Sequence, residues 1–192
     1  MGNYIKNFYI ILILFFSFTI YSCAKKSDSS SSSSTTEIEG TSSSTTEIEG
    51  TWQTPCHAGV SLGYYDIRKV TVSGTNWTDT TESHSDSSCT TDWGTWTSTY
   101  GSLSIGNELT FPSYGSSGGS GHDFTLTLSE YTYTSNNSAN VSSNNDNSFC
   151  GLTGWEINTA QSVAGKTCGS STMWATGAAG YGVYLLDGSK LF

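Results

Sequence analysis

Residues 123–134, with the sequence DFTLTLSEYTYT, decide the fold. Phe124, Leu126 and Leu128 alternate with polar residues, so an extended chain places all three on one face. Threonines follow on the other face, and threonine and tyrosine both favour strands. A strand with one apolar and one polar face covers a core on one side only, which is typical of antiparallel sheets.

The same alternation recurs on both sides of this stretch. Residues 66–72 and 77–82 flank the polar turn 73–76, which predicts a hairpin, and residues 93–100 form another strand. Two more hairpins are predicted at turn dipeptides: residues 103–105 and 108–111 around Gly106-Asn107, and residues 181–186 and 189–192 around Asp187-Gly188. These strands, about eight in all, predict an all-β fold: an antiparallel up-and-down meander closed into a barrel, with a sandwich as the alternative.

Segments without this alternation are predicted to be loops. Residues 113–121 and 135–148 are rich in glycine, serine and asparagine and have few apolar side chains to bury. No segment has a clear helical stripe, and residues 155–163 are the one place where a short helix fits.

The first residues resemble a bacterial lipoprotein signal peptide. Lys6 precedes an apolar run over residues 8–20, which has the length of a signal peptide's hydrophobic region and is short for a transmembrane helix. The run ends at Ile20-Tyr21-Ser22-Cys23, which resembles the lipobox before a lipid-modified cysteine. We therefore expect residues 1–22 to be removed and Cys23 to carry acyl chains such as palmitate. Ala24-Lys25-Lys26 is similar to an outer-membrane sorting signal. The sequence leaves open whether the domain lies on the periplasmic or the surface side of that membrane.

The residues after Cys23 are predicted to form a flexible tether. Residues 23–48 consist mostly of polar side chains, chiefly serine and threonine, and bury too little surface to fold. Residues 32–41, SSSTTEIEGT, are repeated without change in residues 42–51. Because the second copy runs into Trp52, the folded domain is expected to span residues 49–192. The first copy is expected to have nothing to pack against.

Charge excludes one class of partner. The chain has a net charge of −9, and Arg68 is its only arginine. Such a surface repels a phosphate backbone, so nucleic acid is not an expected partner. The expected partners are the membrane, through the lipid anchor, and a small apolar ligand; the sequence does not determine the oligomeric state.

Cysteine number supports export. The chain has five cysteines, and with Cys23 assigned to the lipid, Cys56, Cys89, Cys150 and Cys168 remain. An even set in an oxidising compartment predicts two disulfides. Three pairings are possible, and proximity in sequence favours Cys56–Cys89 and Cys150–Cys168. A zinc site made from all four is the competing interpretation, and the lack of a C-x2-C pair argues against it.

Short motifs along residues 49–192 resemble those of small lipocalin-like lipoproteins of Gram-negative bacteria. The motifs are EGTWQTPC (49–56), SDSSCTT (85–91), FCGLTGW (149–155), GKTC (165–168) and LDGSKLF (186–192). Gly50-Thr51-Trp52 is similar to the G-x-W of the first lipocalin strand, and the resemblance implies that Trp52 plugs one end of an eight-stranded barrel. The arginine that lipocalins carry near the last strand has no counterpart here, where Lys190 is the nearby cation. The resemblance implies a fold more than a task.

Residues that carry chemistry are scattered. Ser120, His122 and Asp123 are close in sequence, but a triad needs groups that converge from separate segments, so no catalytic site is predicted. His57 and His84 lie near two of the cysteines and, with Asp86 or Glu82, form a weak metal candidate; no metal is predicted. Four carboxylates are available for glycoside hydrolysis without an assigned pair: Asp79, Glu82, Glu130 and Glu156.

These observations favour a protein that is not an enzyme and uses no cofactor. The leading hypothesis is a membrane-anchored, lipocalin-like lipoprotein that binds a small apolar ligand or serves as a surface or periplasmic structural module. The alternative is a carbohydrate- or protein-binding surface module, such as an adhesin or a hydrolase inhibitor. A hollow barrel with an apolar lining supports the first hypothesis. A filled barrel with exposed aromatics, or a protruding loop at residues 113–121, supports the second.

Overall fold

The computed structural model describes residues 20–21, 47–61, 63–111, 119–187 and 190–192. The strands are β1 (Ile20–Tyr21), β2 (Gly50–Gln53), β3 (His57–Ala58), β4 (Tyr65–Ser73), β5 (Asn76–His84), β6 (Asp92–Phe111), β7 (Gly119–Ser135), β8 (Ala160–Ser162), β9 (Thr167–Cys168), β10 (Ser171–Thr172), β11 (Ala179–Asp187) and β12 (Lys190–Leu191). Helix α1 spans Ser138–Asp146, and a 3-10 turn follows at Phe149–Gly151.

The main sheet is antiparallel and nearly closes into a barrel. Strands β2, β4, β5, β6 and β7 pair in that order, β7 also pairs with β11, and β11 pairs with β12. The backbone of β1 lies between β12 and β2 and completes the ring. The predicted all-β antiparallel barrel is therefore confirmed, as is the hairpin formed by β4 and β5. The two residues of β1 belong to the segment that the sequence predicts to be removed.

The predicted hairpin at Gly106-Asn107 is wrong. Strand β6 runs without reversal for 20 residues and stays paired with β7 as far as Phe111 opposite Gly119. The register shifts between Ile105 and Glu108, so the dipeptide is accommodated in a bulge rather than a turn. The expected loop at residues 113–121 belongs in part to β7, and its residues 113–118 lie outside the described ranges.

The segment 135–148, predicted to be a loop, contains α1. The side chain of Asn137 accepts from the N–H of Asn140 at 2.8 Å and caps the helix. Asn140 is buried and donates to the hydroxyl of Tyr133 at 2.6 Å, and Asn144 is buried and donates to Ser135 at 2.9 Å. These asparagines bury polar groups that are satisfied, which apolar periodicity does not reveal.

Residues 155–163, where the sequence allows a short helix, do not form one. Ala160–Ser162 pairs with β7, and Asn158 has a positive φ of 56°. The backbone of Trp155 makes two hydrogen bonds with the side chain of Asn145. The backbone N–H of Trp155 donates to Asn145 Oδ1 at 2.8 Å, and its carbonyl accepts from Asn145 Nδ2 at 3.0 Å.

Two apolar clusters lie in the domain. The first centres on Ile48, Trp52, Val70, Val72, Leu103, Tyr184 and Leu191, and Trp77 and Phe124 pack against it. The second contains Tyr133, Cys150, Trp155, Val163 and Cys168, and Trp96 and Tyr131 pack against it.

Ile48 packs in the first apolar cluster. Ile48 has no exposed surface, and the indole N–H of Trp52 donates to its carbonyl at 2.9 Å. The boundary at 48/49 stays a prediction, and a single isoleucine in a polar stretch gives no periodicity that would reveal the burial of Ile48. Trp52 is itself buried in the first cluster. The role of a barrel plug is what the resemblance implies for this residue. None of the helices in the described ranges is long and apolar enough to cross a membrane. Cys23 lies outside those ranges.

Candidate functional site

The strand register places alternate residues of β4 to β7 in rows across the inner face. Asp79 lies opposite Ser98, and Ser98 lies opposite Tyr131. On one side of this row Trp77 lies opposite Tyr100. Because side chains alternate between the two faces of a strand, these residues point into the barrel while the intervening threonines point outward.

A chamber of about 590 Å³ occupies the lumen beside the first cluster. Its apolar walls include Val70, Trp77, Phe124, Leu126, Leu191 and Phe192. Trp77 and Phe124 stack with ring centroids 5.2 Å apart, which gives one wall a continuous aromatic surface.

Glycines in β11 shape this chamber. Gly180 lies opposite Leu126 and Gly182 lies opposite Phe124. A Cβ at Gly180 would lie only 2.5 Å from the Leu126 Cδ1 atom. The missing side chains therefore let Leu126 and Phe124 lie flat against β11, which leaves the centre of the lumen open.

A second chamber of about 320 Å³ adjoins the first and is lined with hydroxyl groups and aromatic rings. Its own walls include Thr81, Trp96, Ser98, Tyr131, Thr172 and Met173. Arg68, Asp79, Tyr100 and Trp174 line both chambers and mark the place where they meet.

An ion pair stands at this junction. Arg68 Nη2 donates to Asp79 Oδ2 at 2.7 Å, and Asp79 Oδ1 is buried without a hydrogen-bond partner among the described residues. Ser98 lies within hydrogen-bonding reach of the phenols of Tyr100 and Tyr131, and burial raises the pKa of both phenols. Both tyrosines are therefore protonated at neutral pH and able to donate.

One exposed aromatic side chain marks the opening of the larger chamber. Trp174 lines the chamber and is 53% exposed. Tyr181 and Val183 alternate with the inward Gly180 and Gly182 and therefore lie on the outer face of β11. Trp174 follows the β9–β10 hairpin, and its carbonyl accepts from the N–H of Gly165 at 3.0 Å.

The structure contains two disulfides, as expected. They join Cys56 to Cys89 and Cys150 to Cys168, the two pairs that proximity in sequence favours. The first ties the segment after β2 to the loop after β5. The second ties the 3-10 turn to β9, close to the segment that carries Trp174.

The other residues considered for chemistry are not brought together in the lumen. His122 Nδ1 faces the carbonyl of Gly106 at 3.3 Å, and its Nε2 lies 3.8 Å from Glu47, so it does not orient Ser120. His84 is buried with Nε2 3.2 Å from Asp92, and His57 Nδ1 lies 3.0 Å from the carbonyl of Pro55. Within the described ranges, no three His, Cys, Asp or Glu side chains come together as metal ligands.

The carboxylates considered for glycoside hydrolysis separate as well. Asp79 pairs with Arg68 inside the barrel, whereas Glu82 pairs with Lys69 at 2.8 Å on the outer face. Glu130 and Glu156 are exposed.

The group formed by Arg68, Asp79, Ser98, Tyr100 and Tyr131 in the lumen was not predicted, although the sequence contains a signal for it. Arg68 is the only arginine of the chain and stands in an alternating strand, and Asp79 stands in the next strand. An arginine at an inward position of a strand is the signal that points to an interior partner. No protein-family model matches the chain, and a comparison with curated proteins finds no significant match.

Proposed function

We propose that this protein is a membrane-anchored, lipocalin-like lipoprotein that binds a small, largely apolar ligand in its lumen. The observation that carries the proposal is the chamber of about 590 Å³ with walls of aliphatic and aromatic side chains. Small-molecule sites are typically about 300–1,000 Å³ in volume, mostly apolar, with a few polar groups that fix orientation. Both parts of that description apply here.

The position of the chamber also supports this role. Each chamber adjoins one apolar cluster: Val70 and Trp77 belong to or pack on the first cluster and line the larger chamber, and Trp96 and Tyr131 pack on the second and line the smaller one. A barrel that served only as a structural module gains stability by filling such a space with side chains. Strand β11 has glycines at two inward positions, and the side chains of Leu126 and Phe124 pack over them rather than across the centre of the lumen.

The lipid anchor completes the proposal. Acylation of Cys23 holds the domain at the outer membrane, and the tether of about two dozen residues reaches on the order of 75 Å when extended. A ligand that partitions into the membrane is then available at high local concentration. The partly exposed ring of Trp174, which lines both chambers, offers an apolar path into the lumen.

The test is to incubate the mature chain with a membrane lipid extract, re-purify it and identify what remains bound. A single class of apolar compound is expected in roughly stoichiometric amount. Leu126→Trp fills the lumen and should abolish recovery. Thr127→Trp, one residue further along and facing outward, is the matched control and should retain it. Recovery of nothing apolar by the folded parent chain would overturn the proposal.

A carbohydrate-binding module is the second candidate, and the smaller chamber favours it. Trp96 and Trp174 present rings beside the hydroxyls of Ser98 and Tyr131, an arrangement that suits a sugar ring. Titration with free mono- and oligosaccharides separates the two functions. Binding of a free sugar with no apolar chain would favour this second candidate.

A further inference from the structure

One carboxylate oxygen is unsatisfied at the junction of the two chambers. Asp79 Oδ2 accepts from Arg68, but Asp79 Oδ1 is buried and has no donor among the described residues. Buried polar atoms without a partner are rare because their desolvation is not compensated. Asp79 lines both chambers, so whatever occupies the lumen is in a position to supply the missing donor.

The groups around Asp79 supply hydrogen-bond donors. Arg68 has five N–H donors, and one of the two on Nη2 goes to Asp79. The phenols of Tyr100 and Tyr131 are neutral and lie near Ser98. Tyr131 lies opposite Ser98 on β7, and Tyr100 follows Ser98 by two residues on β6. A cluster that combines one free acceptor with several donors matches a hydroxyl group, which both donates and accepts.

Charge restricts the ligand further. Arg68 and Asp79 carry opposite charges, and no other charged side chain among the described residues lines either chamber. An anionic head brings a second negative charge beside Asp79, and a cationic head brings a second positive charge beside Arg68. Either head adds a charge that the Arg68–Asp79 pair does not fully compensate, which is unfavourable beside the buried Asp79 Oδ1. The pair therefore selects an uncharged head.

We propose that the ligand is a single-chain amphiphile with an uncharged, hydroxylated head: the chain lies in the larger chamber, and the Arg68–Asp79 pair holds the head. This assignment rests on the proposed function. Trp77, Phe124 and Leu126 contact the chain, and Trp96 and Trp174 flank the head. A monoacylglycerol and an alkyl glycoside share this chemistry.

The experiment compares three amphiphiles of equal chain length on the mature chain at neutral pH. The probes are monodecanoylglycerol, decanoic acid and decylamine, and the measurement is calorimetric titration below the aggregation concentration of each probe. Monodecanoylglycerol should bind about tenfold more tightly than either charged probe, because only its head leaves no charge unpaired. Tighter binding of decanoic acid or decylamine overturns the head assignment and leaves the proposed function standing. Failure of all three probes to bind the folded chain overturns both.

A single substitution should reverse the order. Asp79→Asn removes the negative charge and leaves Arg68 to pair with a carboxylate, so decanoic acid should become the tightest ligand. Glu82→Gln removes a carboxylate from the same strand on the outer face and should leave the order of the parent chain unchanged. An Asp79→Asn chain that is folded by near-UV circular dichroism and still prefers monodecanoylglycerol overturns the assignment. If that variant does not fold, the comparison of probes on the parent chain decides alone.

Discussion

Arg68 and Asp79 face each other diagonally across β4 and β5, with Nη2 and Oδ2 2.7 Å apart, on the side of the sheet that lines the lumen. The same two strands carry Lys69 and Glu82 on the opposite side, with Nζ and Oε1 2.8 Å apart. The two pairs have similar geometry and differ mainly in what surrounds them. The side chains of the two pairs are similarly exposed, at 36% and 25% for Arg68 and Asp79 and 34% and 33% for Lys69 and Glu82. The inner pair differs in that it lines both chambers and its Asp79 Oδ1 atom is buried.

This relationship predicts a difference in coupling energy. A double-mutant cycle with Arg68→Met and Asp79→Asn should give about 1 kcal/mol in urea unfolding, because both side chains are partly exposed but Asp79 Oδ1 is buried. The equivalent cycle with Lys69→Met and Glu82→Gln should give less, about 0–0.5 kcal/mol, as pairs on a sheet surface do. Equal coupling in the two cycles would show that the lumen behaves as bulk water around Arg68.

The repeated decapeptide provides a matched pair of substitutions. Ile48→Ala should lower the free energy of unfolding by about 2–5 kcal/mol, because Ile48 is fully buried beneath Trp52. Ile38→Ala makes the same change at the corresponding position of the first copy and should leave that energy unchanged. Chemical denaturation of both variants checks the prediction. A similar loss in both would mean that the first copy also contributes to the fold.

The two disulfides should differ in their effect on ligand binding. Replacing either pair with serines should cost about 2–4 kcal/mol of stability. Removing Cys150–Cys168 should also weaken ligand binding, because that bridge lies beside the hairpin that leads to Trp174. Removing Cys56–Cys89 should have the smaller effect on affinity, since of the residues that line the chambers Thr54 is the one close to it in sequence, whereas Thr172, Met173 and Trp174 follow Cys168. Titration of both folded variants with monodecanoylglycerol distinguishes these outcomes.

Acid should weaken one turn selectively. Desolvation opposes ionisation of Asp86, but hydrogen bonds from Thr91, Ser88 and Thr90 prevail and lower its pKa from 3.8 to about 2. Because the folded pKa is the lower one, this stabilisation is present above about pH 4 and disappears as the pH falls through about 2. Asp86→Asn should therefore reduce the urea midpoint at neutral pH, with a difference that shrinks between about pH 4 and pH 2. Glu156→Gln, at an exposed carboxylate, should show no such trend.

Much of the barrel was predictable because its strands alternate. The inward positions Phe124, Leu126 and Leu128 follow directly from period two, and the turn at residues 73–76 sets the register of β4 and β5. The prediction failed at residues 135–148, where buried polar side chains stabilise the fold. Asn140 and Asn144 are buried by hydrogen bonds rather than by apolar contact, so a polar segment folds as a helix.

The candidate site was predictable only in outline. An apolar lumen follows from a barrel whose inward residues are aromatic, but its size depends on packing across strands far apart in sequence. The pairing of Arg68 with Asp79 depends on register, and a slip of one residue moves a side chain to the other face. The turn propensity of Gly106-Asn107 was overridden by continued pairing of β6 with β7, which local sequence does not encode.

The most direct test of a ligand within the lumen is tryptophan quenching by a monoacylglycerol brominated along its chain. Bromine quenches on contact, and Trp77 lies in the wall of the larger chamber while Trp155 lies buried in the second cluster. We expect strong quenching in the parent chain that is largely lost in Trp77→Phe and retained in Trp155→Phe. Quenching that is unaffected by Trp77→Phe and disappears in Trp174→Phe would place the chain at the surface, and would contradict a ligand held inside the barrel.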